Sequence, residues 1–287
     1  MSALNKIEKI NFVRKIPKLI HQTYPSKDIP ECLQSNIEHV KSTNPDWKYK
    51  LYSDEDIKFF IEKEYGLGIL KIFNRISLEY GAARADLFRY LLMYKLGGVY
   101  LDIKSSVSRP FSEVIKHEDC YFISQWGGSE SDPYREWGIH DELKNITGGE
   151  FQQWYIISSP GHPFLYAVIQ TVIYNINKYC YLTTGFGRLG VLRLTGPIAY
   201  TKAIDSILEI YPHTRVKSEK DLGLIYSVLE KKPSQSHVQL FNKHYSKNIT
   251  PIVKNNSPRR LLNYVFFTGY FLLKNSNNLA RRIIAKL

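Results

Sequence analysis

The chain has 287 residues, 44% hydrophobic and 14% aromatic, enough for one large domain or one domain with an appendage. Its formal net charge is +12, but eleven of the 39 Lys and Arg follow Glu230, the last acidic residue, so residues 1–230 carry 28 basic against 27 acidic side chains. A near-neutral body argues against a nucleic-acid partner, and three scattered cysteines, Cys32, Cys120 and Cys180, argue against a disulfide framework and for a reducing compartment. The first twenty residues lack the apolar core of a signal peptide, and no apolar run reaches the ~20 residues that span a bilayer. The expected location is cytoplasmic, with the cytoplasmic face of a membrane as a candidate.

In chain order, "IPKLIHQTY" (16–24) reads as a buried strand ended by Pro25. Pro30 starts a helix running to about Thr43. "WKYKLYS" reads as a second strand, and Ser53 caps the next helix with Asp56 at its third position. "LEYGAARADLFRYLLMYKLGG" is helical in length, apolar on most faces and stopped by glycines, hence a buried helix. "VYLDIK" (99–104) follows at once as a strand. This order argues for an α/β fold with a mostly parallel central sheet. Residues 125–150 form a polar, glycine-bearing stretch typical of a functional loop or lid. "QQWYIISS" reads as a strand, "GHPFLYAVIQTVIYNINKY" as a helix, residues 195–211 as a helix with Pro197 in its first turn, and "HVQLF" as a short strand before His244.

Alternation along "VYLDIK" puts Val99, Leu101 and Ile103 on one face and Tyr100, Asp102 and Lys104 on the other. That second face lies at the carboxyl end of a strand, where open α/β sheets bind ligands. The plainer alternative is a surface strand end with an ordinary Asp–Lys pair. In the preceding helix, Arg84, Asp86 and Arg89 interrupt an apolar surface, and Asp86 and Arg89 are three apart, hence neighbours. They read as an internal salt bridge or, since buried charges are costly unless paired or used, as part of a polar pocket beside Asp102.

Five segments in order, "IPKLIHQTY", "NPDWKYKLYSDED", "AARADLFRYLLMYKLGGVYLD", "SSPGHPFL" and "LTGP", resemble the retaining glycosyltransferases of family 32. That family includes Golgi α-1,6-mannosyltransferases and capsular-polysaccharide sugar transferases. The likeness runs from about residue 16 to 200, with a weaker echo at "NKHYSKN". The spacing of Asp86, Arg89, Tyr100 and Asp102 also resembles the sugar-nucleotide site of the large glucosylating bacterial toxins.

The resemblance implies a GT-A-type, Rossmann-like nucleotide-sugar fold over residues 1–250. It further implies transfer of a hexose from a nucleotide-sugar donor to a glycan or lipid-linked glycan acceptor. By this likeness His21 and Gln22 line the nucleotide pocket, although a satisfied core histidine is an equal reading of His21. Asp86 and Arg89 hold donor-sugar hydroxyls, Tyr100 packs near base or ribose, and Thr195 and Gly196 sit near the transferred sugar. Asp102 is the first acid of the Asp-x-Asp motif, touching ribose or metal.

Lys104 stands where the family has its second acid. A lysine ammonium cannot ligate a metal but can place a point charge on phosphate. Either Lys104 takes over part of the role of a divalent ion (Mn or Mg), making Asp102, Lys104 and Arg89 the catalytic set, or Asp102 holds the ion with help from His244. A third branch is a non-catalytic sugar-nucleotide-binding or glycan-binding relative. Residues 251–287 form a basic, apolar tail with a helical end. In "LARRIIAKL", Leu279, Ile283, Ile284 and Leu287 share one helical face, a pattern suited to an anionic membrane surface or to packing on the body.

Overall fold

The computed structural model describes residues 7–127, 134, 136–229, 245–254, 265 and 269. His244, the "HVQLF" strand and nearly all of the 251–287 tail lie outside them.

β1 (Leu19–Thr23) leads through α1 (Glu31–Thr43) to β2 (Lys48–Tyr52), which pairs parallel to it with Leu19 opposite Lys48. α2 (Asp54–Arg75) opens on the expected capping box: Asp56 donates its N–H to the Ser53 hydroxyl, and Ser53 donates its own to the Asp56 carboxylate at 3.0 Å. Gly66, at φ 77°, breaks that helix in two. α3 (Gly81–Leu96) is buried over nearly its whole length, from Ala83 through Tyr94, as its all-round apolar sequence requires. It ends at Gly97, and β3 (Gly98–Leu101) begins at the next residue. Both glycines have positive φ, and a Cβ on Gly98 would lie 2.5 Å from the Leu19 carbonyl oxygen. Only glycine allows β3 to slide in against β1 there.

The chain continues through β4 (Ser106–Val107), α4 (Phe111–Val114) and β5 (Phe122–Ile123) to β6 (Tyr155–Ser158). Four helices follow: α5 (Pro163–Lys178), α6 (Tyr181–Thr184), α7 (Gly187–Leu194) and α8 (Pro197–Asp205). The short strands β7 (Thr214–Arg215) and β8 (Leu224–Ile225) pair with β5 and β4. The central sheet has the order β2-β1-β3-β6, with β6 alone antiparallel. This is the expected mostly parallel α/β architecture. One core packs α2, α3 and α5 around Phe88, Leu91 and Ile169, and a second lies around Val99, Leu101 and Ile157.

Three boundaries differ from expectation. The helix expected over 195–211 is shorter: α8 begins at Pro197 and stops at Asp205, and only a single 3-10 turn, Leu208–Ile210, follows. The "VYLDIK" strand stops at Leu101, because Ser105 donates its N–H to the Asp102 carbonyl and closes a turn. Alternation therefore ends before Lys104. The packed body also runs past residue 250. Ile252 and Val253 are fully buried, Ser77 donates to the Ile252 carbonyl, and Lys254 donates to that of Arg75. Among the described residues no helix is long and apolar enough to cross a membrane.

Candidate active site

The site forms at the carboxyl ends of β1 and β3, beside the first half of α3. Asp102 is the first residue past β3, and its backbone is fixed on three sides. Its N–H reaches the Trp154 carbonyl, while its own carbonyl accepts from Ser105 and from the Gln22 side chain. Asn36 donates to the carbonyls of Ile103 and Ser105, pinning the rest of the turn. The Asp102 side chain is 26% exposed, the one partly open carboxylate in an otherwise sealed group.

Arg89 binds that carboxylate at 3.0 Å through Nη1 and Asp86 at 3.4 Å through Nη2. The same guanidinium donates to the carbonyls of Gln153 and Ala85 and lies over the Tyr100 ring, 4.7 Å from its centroid. Burial works against the charge of Arg89, but Asp102, Tyr100 and Asp86 outweigh it, and the group stays a cation. Asp86 is buried. It accepts from the Thr195 hydroxyl at 2.9 Å and from Gln153 Nε2 at 3.2 Å. Burial pushes its carboxyl upward, opposed first by Arg89 and then by these two donors. The Tyr90 hydroxyl has both Gln153 Oε1 and the Thr195 carbonyl within reach of its one proton, closing the network.

The structure thus gathers Asp86, Arg89, Tyr100, Asp102 and Thr195. Gly196 is the N-cap of α8, where a Cβ would press within 2.9 Å of the Leu192 Cα. His21 is sealed within the sheet: Nδ1 meets the Tyr52 hydroxyl and Nε2 the Gly97 carbonyl, each at 3.1 Å. Burial pulls its pKa down to about 4 against the carbonyl, which holds it neutral. The Gln22 amide is spent on Tyr49 and the Asp102 carbonyl. Tyr100 is buried beneath Arg89, its hydroxyl on Thr23. Arg84 does not join the group. It stacks on Phe73 and donates to the carbonyls of Phe73 and Ile76 at the end of α2.

Lys104 lies beyond the end of β3, its ammonium 3.7 Å from the centroid of the Tyr226 ring. Among the described residues no three His, Cys, Asp or Glu side chains gather as a metal cage. One partly exposed carboxylate with one oxygen toward Arg89 fits a cation held jointly by Asp102 and a donor's phosphates, the usual habit of magnesium. Among the described residues it does not fit an all-protein site.

The apolar strand pattern hid Gln153, which bridges Asp86 and Tyr90. The only signal for it was the pair of glutamines written just ahead of β6. The aromatic group formed by Trp126, Tyr134, Trp137 and Tyr226 went unread because its members are far apart in sequence.

Residues 30–121 match the family described as a glycosyltransferase sugar-binding region containing a DXD motif. The chain is 29% identical over 183 residues to inositol phosphoceramide mannosyltransferase 3 of Schizosaccharomyces pombe, covering 64% of this chain and 43% of that one. It is 29% identical over 170 residues to the initiation-specific alpha-1,6-mannosyltransferase of Candida albicans, covering 55% and 43%. Among solved structures, the PaToxG glycosyltransferase is similar at a TM-score of 0.49 and 18% identity, covering 69% of this chain and 71% of that one. Residues 30–121 are thus similar to the sugar-binding region of DXD-containing glycosyltransferases, and the motif position reads Asp102-Ile103-Lys104. The chain spans less than half the length of these two curated relatives.

Proposed function

We propose that the protein is a GT-A-type hexosyltransferase, moving a sugar from a nucleotide diphosphate donor to a glycan or lipid-linked glycan with retention of anomeric configuration. The observation that carries this is the Asp102 carboxylate at the strand end, clamped by Arg89 and Asp86 within the stretch matched by the sugar-binding family. The relatives' names, a ceramide-lipid mannosyltransferase and an α-1,6-mannosyltransferase, support both acceptor classes and favour mannose as the sugar.

In this reading Arg89 is chiefly a clamp, since most of its N–H groups are already used by protein acceptors. It fixes Asp102 so that the carboxylate's open side meets the ribose and a divalent ion, and fixes Asp86 and Thr195 beside the sugar. His21 and Gln22 act from behind, holding the strand end and the Asp102 turn beneath the nucleotide. The ion, when bound, neutralises charge developing on the departing diphosphate. Retention needs no protein base, because the leaving phosphate takes the acceptor proton on the same face.

Lys104 sits on the Tyr226 ring, which favours the branch in which Asp102 holds the ion over direct replacement by lysine. A contribution from His244 stays part of the proposal. So does a cytoplasmic location at an anionic membrane face, attributed to the tail. The test is an array of nucleotide sugars scored for hydrolysis with and without Mn²⁺. Hydrolysis of one donor, lost in EDTA and restored by Mn²⁺, is expected. Nucleotide binding by calorimetry with no hydrolysis of any donor would instead identify a non-catalytic binding relative.

A further inference from the structure

A cavity lies apart from the clamped carboxylates. Residues 136–150 fold back on themselves, with Glu150 donating its N–H to the Gly138 carbonyl at 2.9 Å. Gly138 and Gly149 both have φ of 76°, and a Cβ on either would meet the opposite segment at 2.5 Å. The two segments therefore touch backbone to backbone, a closeness only glycine permits. The result is a cavity of about 290 Å³ between this fold-back and Arg188 and Leu192 of α7.

Its walls are preorganised. Trp137 is 42% exposed, yet its ring packs against Trp126, Tyr134 and Tyr226. Glu150 is fixed by Trp126 Nε1 and by His140, each at 2.7 Å. Glu136 adds a second carboxylate and Arg188 a guanidinium. An anionic ligand would meet two carboxylates here. A neutral ring bearing several hydroxyls would find acceptors in the carboxylates, donors in Arg188 and an apolar face in Trp137. The volume suits one such ring, not an extended chain.

Short chain separations tie the cavity to the proposed donor site along two separate paths. Leu192 is three residues before Thr195, about 5 Å of helix rise. Glu150 is three residues before Gln153, at most about 10 Å of extended chain. Thr195 and Gln153 both bind Asp86.

We infer that this cavity is the acceptor subsite, taking a neutral hexose ring against Trp137. The inference rests on the transferase reading for its role but not for its occupancy. The probe is a panel of methyl α-glycosides of mannose, glucose and galactose, followed by saturation-transfer NMR on the full chain. Nucleotide diphosphate binding is measured in parallel by calorimetry.

At least one glycoside is expected to bind the parent protein. Trp137→Ala and Arg188→Ala should weaken it roughly tenfold or more, the scale of one lost polar or ring contact. Trp137→Phe should restore most of the binding, and nucleotide affinity should stay within about twofold of the parent. No binding of any glycoside to the parent, or equal loss of glycoside and nucleotide in Trp137→Ala, overturns the subsite. Glycoside binding that behaves as expected in a protein hydrolysing no nucleotide sugar leaves the hexose pocket standing and removes the transferase reading.

Discussion

His21 on β1 and Arg89 on α3 are both buried polar side chains with protein partners on more than one side. They differ in what lies beyond them. His21 is bracketed by Tyr52 and the Gly97 carbonyl, and the group ends there. Arg89 leads outward through Asp102 to a carboxylate that is a quarter exposed. A buried polar group marks a site when its chain of partners reaches solvent, and marks architecture when the chain closes on itself.

Arg89→Ala tests this contrast most severely, since it strands Asp86 as an unpaired buried carboxylate. A loss of about 3–5 kcal/mol in urea unfolding is expected. His21→Gln should cost less, about 1–3 kcal/mol, because it leaves only neutral groups unpaired. An Arg89→Ala protein as stable as its parent would mean that the guanidinium is not the clamp proposed.

Asp102→Asn keeps shape and neighbours while removing the outward charge. Donor hydrolysis should fall by about a hundredfold or more with the fold intact. Near-normal hydrolysis in a well-folded variant would break the distinction between the open and closed groups.

The closed groups make their own prediction in pH. His21 and His162 are both held neutral by burial, which lowers each from 6.5 to about 4. The unfolded chain takes up protons first, so this stability is full above about pH 6.5 and is lost as pH falls toward 4. Each histidine contributes about 2–3 kcal/mol over that window. Urea midpoints measured from pH 7.5 to 4.5 should fall, and His162→Gln should flatten the slope.

The smallest effect expected is at Lys104. Its contact with the Tyr226 ring is worth about 0.5–2 kcal/mol, so Lys104→Ala should lower the melting point slightly and change hydrolysis by less than about tenfold. Complete loss of hydrolysis in Lys104→Ala, together with activity persisting in EDTA, would restore lysine as the replacement cation.

Much of this was legible in the sequence where signals were local. Ser53 with Asp56, the glycines at 97 and 98, and the mostly apolar run of residues 83–94 each specify their element within a few residues of chain. Asp86 and Arg89 stood out because charges on such a helix need partners. What escaped depends on contacts across long separations. Gln153 meets Asp86 sixty-seven residues away, and Arg84 looked like a pocket residue until the carbonyl end of α2 took it. Strand alternation does not reach Lys104, because β3 ends at Leu101 and side-chain amides from β1 and α1 hold a turn there.

The abrupt reversal at Gly97 and Gly98 makes the spacing between Arg89 and Asp102 a measuring rule. From Arg89 to Gly97 the helix climbs about 12 Å at 1.5 Å per residue, and from Gly98 to Asp102 the chain descends about 13 Å at 3.3 Å per residue. Eight helical residues and four extended ones cover the same distance, so guanidinium and carboxylate arrive at the same height. One residue added to the helical leg would swing Arg89 about 100° around its axis, and one added to the extended leg would turn the carboxylate to the opposite face. Insertions and deletions between 89 and 102 should therefore be far less forgiving than substitutions. Length, more than composition, is what this segment must preserve.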